Sequence, residues 1–215
     1  MKYAYVYVLD TMADWELGYV IAELNSGQYF KNRAGRIPVK TVGAAKSPIT
    51  TKGGMTIMPD TTIEEITLES SAILLLPGAD QWRNPEHKLI VEKAKQLLDA
   101  GGNAAAICGA TAALANAGIL NHRQHTSNSL EYLAMCCPAY EGAACYRNEK
   151  IVVDGNLITT SAAGGLLLAR EVIKLLDLFH NETLEAWYRY FLTGDFQYYD
   201  VMMQTLQESD LSLRN

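Results

Sequence analysis

The sequence predicts an α/β protein: one doubly wound, mostly parallel sheet with helices on both faces. Three observations predict it. Residues 3–9 and 72–76 are apolar runs without polar alternation, the pattern of strands buried on both faces. Such runs alternate with helical periodicity along the chain, and no low-complexity break divides it. The stretch 103–115 passes from a short apolar run through Cys108 straight into an alanine-rich helix. Its small residues, Ala106 and Ala110, stand two before and two after the cysteine, the spacing of a sharp strand-to-helix elbow that exposes a nucleophile.

The first strand, residues 3–9, reads as central, and Asp10 to Asp14 as a loop. Residues 15–26 follow as a helix on the period of Leu17, Val20, Ile21 and Leu24, with Asp14 as N-cap and Gly27 as stop. Residues 37–42 read as a peripheral strand, with Pro38 arguing for an edge. Lys52-Gly53-Gly54 is a turn before a short strand at 55–58. Thr61 or Thr62 with Glu64 and Glu65 suggests a capped helix through Leu68. The strand at 72–76 stops at Pro77-Gly78-Ala79-Asp80. Residues 85–100 form an amphipathic helix with Pro85 in its first turn and Gly101-Gly102 as its stop.

After the Cys108 strand, the helix closes at Gly118. Residues 124–128 read as a short polar strand and 129–136 as a helix ended by Pro138. Residues 151–160 form a hairpin about Asp154-Gly155, and 164–179 a long helix. Residues 182–207 are aromatic-rich and read as two helices around Thr193-Gly194-Asp195. The whole chain, 1–215, is expected to be one domain, with 181–215 a helical C-terminal extension. Ligands of such sheets sit at the carboxyl ends of the strands. Three turns converge there: residues 10–16, Pro77 to Asp80, and Cys108-Gly109.

Composition excludes several classes. A net charge of -6 offers no basic face for nucleic acid. No stretch is long enough to span a membrane. The four cysteines, two of them adjacent, show no metal-ligand spacing with histidine, and a domain this size needs no disulfide framework. No metal or organic cofactor is implied. The run at 3–9 is too short for a signal-peptide core and is closed by Asp10, so a cytoplasmic location is expected.

Ala105-Ala106-Ile107-Cys108-Gly109, Ala113-Leu114-Ala115 and Ala117-Gly118-Ile119-Leu120 resemble the elbow of the ThiJ/PfpI family, in the class I glutamine amidotransferase-like superfamily. Leu74-Leu75-Leu76-Pro77-Gly78 resembles its buried strand and glycine turn, and Ile158-Thr159-Thr160-Ser161 its last strand-helix unit. The resemblance covers residues 1–180 and implies a flavodoxin-like fold and a homodimer. It places Glu16 as the carboxylate held against the thiol. Protease-type members carry histidine directly after the nucleophile; here that position is Gly109. Other members carry one about twenty residues on; here the comparable position is Asn128. His122 and His125 lie near in sequence but outside the motif, so the Cys-His pair of a peptidase is not in the pattern.

Each candidate has a plainer reading. Cys108 is either a nucleophile, its thiolate favoured by the helix N-terminus, or a packed thiol. Glu16 is either the thiol's partner or a first-turn charge. As a partner it has to be protonated and donate to sulfur, because an ionised carboxylate would raise the thiol pKa. Gly78, Ala79 and Gly109 are candidate backbone donors to an oxyanion, or simply a tight turn. Asp80, Trp82 and Asn128 are candidate pocket-lining residues. Cys136 and Cys137 read as core, and Cys145 carries no assignment. The C-terminal aromatics, Trp187 to Tyr199, read as core plus subunit interface.

The leading expectation is a cysteine-dependent hydrolase or amidase acting on a small carbonyl or amide compound. The alternatives are a redox or stress protein using an oxidisable Cys108, favoured by the missing histidine, and a cysteine-dependent hydratase or lyase.

Overall fold

In the computed structural model, residues 2–31 and 35–212 are described. Seven strands form the main sheet. These are β1 (Tyr3–Tyr7), β2 (Val39–Gly43), β5 (Thr61–Thr62), β6 (Ser71–Leu76), β7 (Ala104–Ile107), β8 (Ile151–Asp154) and β9 (Leu157–Thr160). Their order is β5-β2-β1-β6-β7-β9-β8, all parallel except the β8-β9 hairpin. Two further strands, β3 (Ile49–Thr50) and β4 (Thr56–Ile57), pair only with each other. From β1 the chain winds outward to β2 and β5, then returns to β6 on the other side of β1 and winds outward again. The switch point therefore lies between β1 and β6, where doubly wound sheets open a crevice at their carboxyl ends.

The apolar runs fold as their patterns require. β6 is buried at every residue, and Ala4 to Leu9 are buried as well, so helices cover both faces of the centre. The helices are α1 (Gly18–Ser26), α2 (Lys88–Asp99), α3 (Gly109–Asn116), α4 (Leu130–Cys136), α5 (Gly165–Leu175), α6 (Asn181–Thr193) and α7 (Phe196–Ser212). α1 packs on α5, α5 on α6, and α6 on α7. Buried Trp187 of α6 donates its indole N–H to the Glu23 carboxylate of α1 at 2.9 Å. Burial pushes the Glu23 carboxyl pKa up, and the indole bond opposes that. The C-terminal helices are thus tied to α1 by a buried polar contact as well as by edge packing of the Tyr19 ring of α1 on Trp187 and Phe191.

Several expectations are corrected. Helix α1 begins at Gly18, not at residue 15, and Asp14 does not cap it; Asp14 instead accepts the Gly53 N–H at 2.6 Å, which fastens the 52–54 turn beside the site. β2 is not an edge, because β5 pairs along its outer side. The capped helix at 61–68 is absent: Thr61 and Thr62 are drawn into the sheet as β5, and one 3-10 turn (Ile63–Glu65) follows. Residues 124–128 form no strand, only a bridge from His125 to Tyr146. α5 stops at Leu175, where Asp177 takes φ 53° and the Lys31 N–H bonds the Leu178 carbonyl, leading the chain off the helix. The break between α6 and α7 falls where expected, at Gly194 with φ 73°.

No helix among the described residues is long and apolar enough to cross a membrane.

Candidate active site

The site is built where the chain leaves β1, β6 and β7. Cys108 follows β7 with φ 56° and ψ -120°, in the left-handed half of the map that side chains rarely adopt. Such a conformation costs on the order of 1–3 kcal/mol and persists only where neighbours enforce it. They do so here. The Cys108 N–H bonds the Thr160 carbonyl at 3.0 Å, and its own carbonyl accepts from the Thr111 N–H at 3.1 Å and the Thr111 hydroxyl at 2.6 Å. The Thr111 hydroxyl is in turn bonded to Ser127 at 2.6 Å. The elbow is therefore locked from β9, from α3 and from the 125–128 loop.

Glu16 lies completely buried in the turn after β1. One carboxyl oxygen accepts the Gly78 N–H at 2.5 Å, and the other has no partner apart from the facing Cys108 thiol. Close approach explains the glycines. A Cβ on Gly78 would stand 2.6 and 2.7 Å from the two Glu16 oxygens and 2.7 Å from the Cys108 Cβ. A Cβ on Gly165, at the start of α5, would stand 2.7 Å from the Glu16 carbonyl.

Burial raises the Glu16 pKa, against the opposing pull of the Gly78 N–H, the thiol and, from further off, Lys52. Burial also raises the Cys108 pKa, and the Glu16 charge adds to it, while the Asn128 amide and the Gly109 N–H oppose. This corrects the expectation of a thiolate favoured by the helix end: desolvation and a like charge outweigh the first-turn amides. Burial raises both groups, so one proton is held between sulfur and carboxylate, and for Glu16 the direction is that of the expected protonated carboxyl.

The remaining candidates fall into place around this pair. The Asn128 side-chain N–H₂ donates to the Cys108 sulfur at 3.4 Å, and its carbonyl oxygen, held by the Ala162 N–H at 3.0 Å, fixes that orientation. Gly109 opens α3 with its N–H beside the sulfur. Ala79 N–H has no partner among the described residues, and it lies against Gly109, 3.3 Å from where a Gly109 Cβ would stand. Gly78 is not available as an oxyanion donor, because Glu16 already takes its N–H. Asp80 and Trp82 both line a groove that also takes in Ala79 and Gly109, the residue that follows Cys108. Asp80 pairs with Lys52 at 3.1 Å, and the Trp82 indole donates to the Pro77 carbonyl at 2.8 Å. No imidazole is bonded to Cys108: both His125 nitrogens are engaged, with the Arg123 carbonyl and the Tyr140 hydroxyl. Of the adjacent cysteines, Cys137 is core as expected, whereas Cys136 is half-buried and lines the groove. Tyr132 and Arg83, also in the groove, had no sequence signal beyond an ordinary helix aromatic and a loop charge. No group of three or more His, Cys, Asp or Glu among the described residues is placed to hold a metal.

The model of the DJ-1/PfpI family matches residues 2–175. A Bacillus subtilis relative named as an uncharacterized protease, YoaZ, is 47% identical over 202 residues, covering 94% of this chain and 96% of its own. The deglycase PfpI of Pyrococcus furiosus is 31% identical over 136 residues, covering 61% of this chain and 78% of its own. Among solved structures, a thiJ/pfpI family protein from Bacillus anthracis superposes with a TM-score of 0.92 at 48% identity, covering 94% of this chain and 96% of its own.

Proposed function

Because the chain belongs to the DJ-1/PfpI family, we propose that it is a cysteine-dependent hydrolase acting on a small carbonyl or amide compound. Relatives named protease and deglycase support a hydrolase-type role at the level of the family. The observation that carries the finer reading is the juxtaposition at the elbow. Cys108 stands by a buried carboxylate that shares its proton and by two N–H groups, that of Gly109 at the start of α3 and that of Ala79 on the adjoining turn.

In this reading the sulfur–carbon bond forms as the thiol proton passes to Glu16. The carbonyl π pair moves to oxygen, which the Ala79 and Gly109 N–H groups stabilise. The adduct collapses with the Glu16 proton going to the leaving nitrogen or oxygen. Water then attacks the thioester, the sulfur–carbon bond breaks, and the thiol is restored. Burial raises the Glu16 carboxyl pKa, which favours its taking up the thiol proton and passing it on. The test is burst hydrolysis of 4-nitrophenyl acetate with mass mapping of the acyl group. An acetyl adduct on Cys108, lost in Cys108→Ser, is expected; an adduct on Cys136, Cys137 or Cys145 instead overturns the reading.

One observation favours a second reading: the sulfur's amide neighbour is Asn128, where an imidazole would assist turnover. Cys108 then serves as a peroxide-sensitive thiol. Each peroxide accepts two electrons from sulfur and leaves one oxygen on it, first as sulfenic and then as sulfinic acid.

We also propose a homodimer, for which Tyr19, Phe191 and Phe196 offer exposed aromatic surface. Light scattering at micromolar concentration is expected to give twice the chain mass; the mass of one chain refutes it.

A further inference from the structure

Beyond the sulfur, a groove of about 680 Å³ opens between α2, α3 and α4. It begins at Ala79 and Gly109, beside the nucleophile, and its walls include Trp82, Val91, Ala113 and Met135. Several of its polar groups, Lys88 and Glu92 among them, have no hydrogen-bond or ion-pair partner among the described residues, and two others are the donors of interest. One is the Tyr132 hydroxyl, on the first turn of α4. That turn is set by the Ser129 hydroxyl, which accepts the Tyr132 backbone N–H at 3.0 Å. The other is the guanidinium of Arg83, exposed at the rim.

Both groups line the groove. The Arg83 charge acts on the Tyr132 hydroxyl, and Cys108 acts on it as well. Burial holds this phenol up at about 12, so near neutral pH it is a neutral hydroxyl able to donate. A guanidinium beside a hydroxyl offers several donors and one positive charge. That set matches a carboxylate, which accepts at both oxygens and carries one negative charge. Of the anions nearby, Asp80 is paired with Lys52, while Glu92 and Lys88, one helical turn apart on α2, line the groove without an ion pair between them.

We propose that Arg83 and Tyr132 form a carboxylate-binding pair beside Cys108, and that the substrates are carbonyl compounds bearing a carboxylate, their apolar remainder lying in the groove. Calling the ligand a substrate rests on the thiol chemistry proposed above; the binding does not.

The test is calorimetric titration of Cys108→Ser protein with 4-phenylbutyrate and, separately, with its neutral amide. The acid is expected to bind about tenfold more tightly than the amide. Arg83→Gln is expected to bring the acid down to the level of the amide, and Arg83→Lys to retain part of the preference. Tyr132→Phe is expected to weaken the acid several-fold and leave the amide unchanged. Arg83 makes no contact the fold depends on, so its variants remain folded. Equal binding of acid and amide, a preference that survives Arg83→Gln, or no binding of either overturns the proposal. Failure of the thiol chemistry would show instead as missing acylation of the unsubstituted protein, so the two readings fail separately.

Discussion

Glu16→Gln is expected to make Cys108 alkylate faster at neutral pH, on the order of tenfold, the gain in thiolate population per pKa unit. The sign follows from the pair. In the native protein the thiol pKa is raised first by burial and then by the Glu16 charge. The amide removes that charge and still offers an N–H₂ donor to a thiolate, so the pKa falls. Glu16→Leu also removes the charge but offers no donor, so burial keeps the thiol higher than in the glutamine variant. It also strands the buried Gly78 N–H, at a cost of about 1–3 kcal/mol. The measurement is ultraviolet thiolate absorbance against pH in the three proteins, with iodoacetamide rates at fixed pH. The expected order of thiol pKa is Glu16→Gln lowest. The acylation burst should run the other way in the glutamine variant, because an amide cannot accept the thiol proton or return it to a leaving group. Three identical titrations would reduce Glu16 to a structural carboxylate and remove it from the proposed site.

The sheet was legible because its central strands are buried on both faces and so lack alternation, as at residues 3–9 and 72–76. The elbow was legible because sterics leave only small residues around Cys108. What the sequence hid was decided by long-range pairing. Thr61 and Thr62 carry helix-start chemistry, yet the open side of β2 claims them as β5. Asp14 has the residue type of an N-cap, yet the 52–54 turn takes its carboxylate. The site shows the same division. Glu16 and Asn128 were placed through a resemblance and Asp80 by its place directly after the Pro77-Gly78 turn, and the structure brings all three to the crevice. The raised thiol pKa was not legible, since it turns on a desolvation that no local pattern encodes. Nor was the loss of the Gly78 donor, which depends on a hydrogen bond spanning 62 residues.

Gly78→Ala is expected to damage stability and site together, because the added methyl has no room. Its carbon would stand 2.6 Å from one Glu16 oxygen and 2.7 Å from both the other oxygen and the Cys108 Cβ. None of these neighbours is the free end of a mobile side chain: the carboxyl is buried and bonded, and Cys108 is locked at the elbow by Thr160 and Thr111. Relief requires the carboxyl to leave the Gly78 N–H or the elbow to shift. Overpacking of this kind costs about 1–3 kcal/mol, and each kcal/mol lowers Tm by about 2–4 °C in a domain this size. Gly109→Ala strikes a different part of the site, since its methyl would stand 2.8 Å from the Ala79 carbonyl and 3.3 Å from the Ala79 nitrogen. It is expected to push the 78–79 turn away and lower the rate of Cys108 acylation more than it lowers Tm. Gly18→Ala is the control, because nothing lies within 4 Å of its added carbon and its φ is not positive. It is expected to be neutral or to stabilise by about 0.4–1 kcal/mol. Thermal melts and the rate of Cys108 acylation by 4-nitrophenyl acetate decide among these outcomes. If Gly78→Ala melts and acylates like Gly18→Ala, the close packing of Gly78, Glu16 and Cys108 is not what holds the site together.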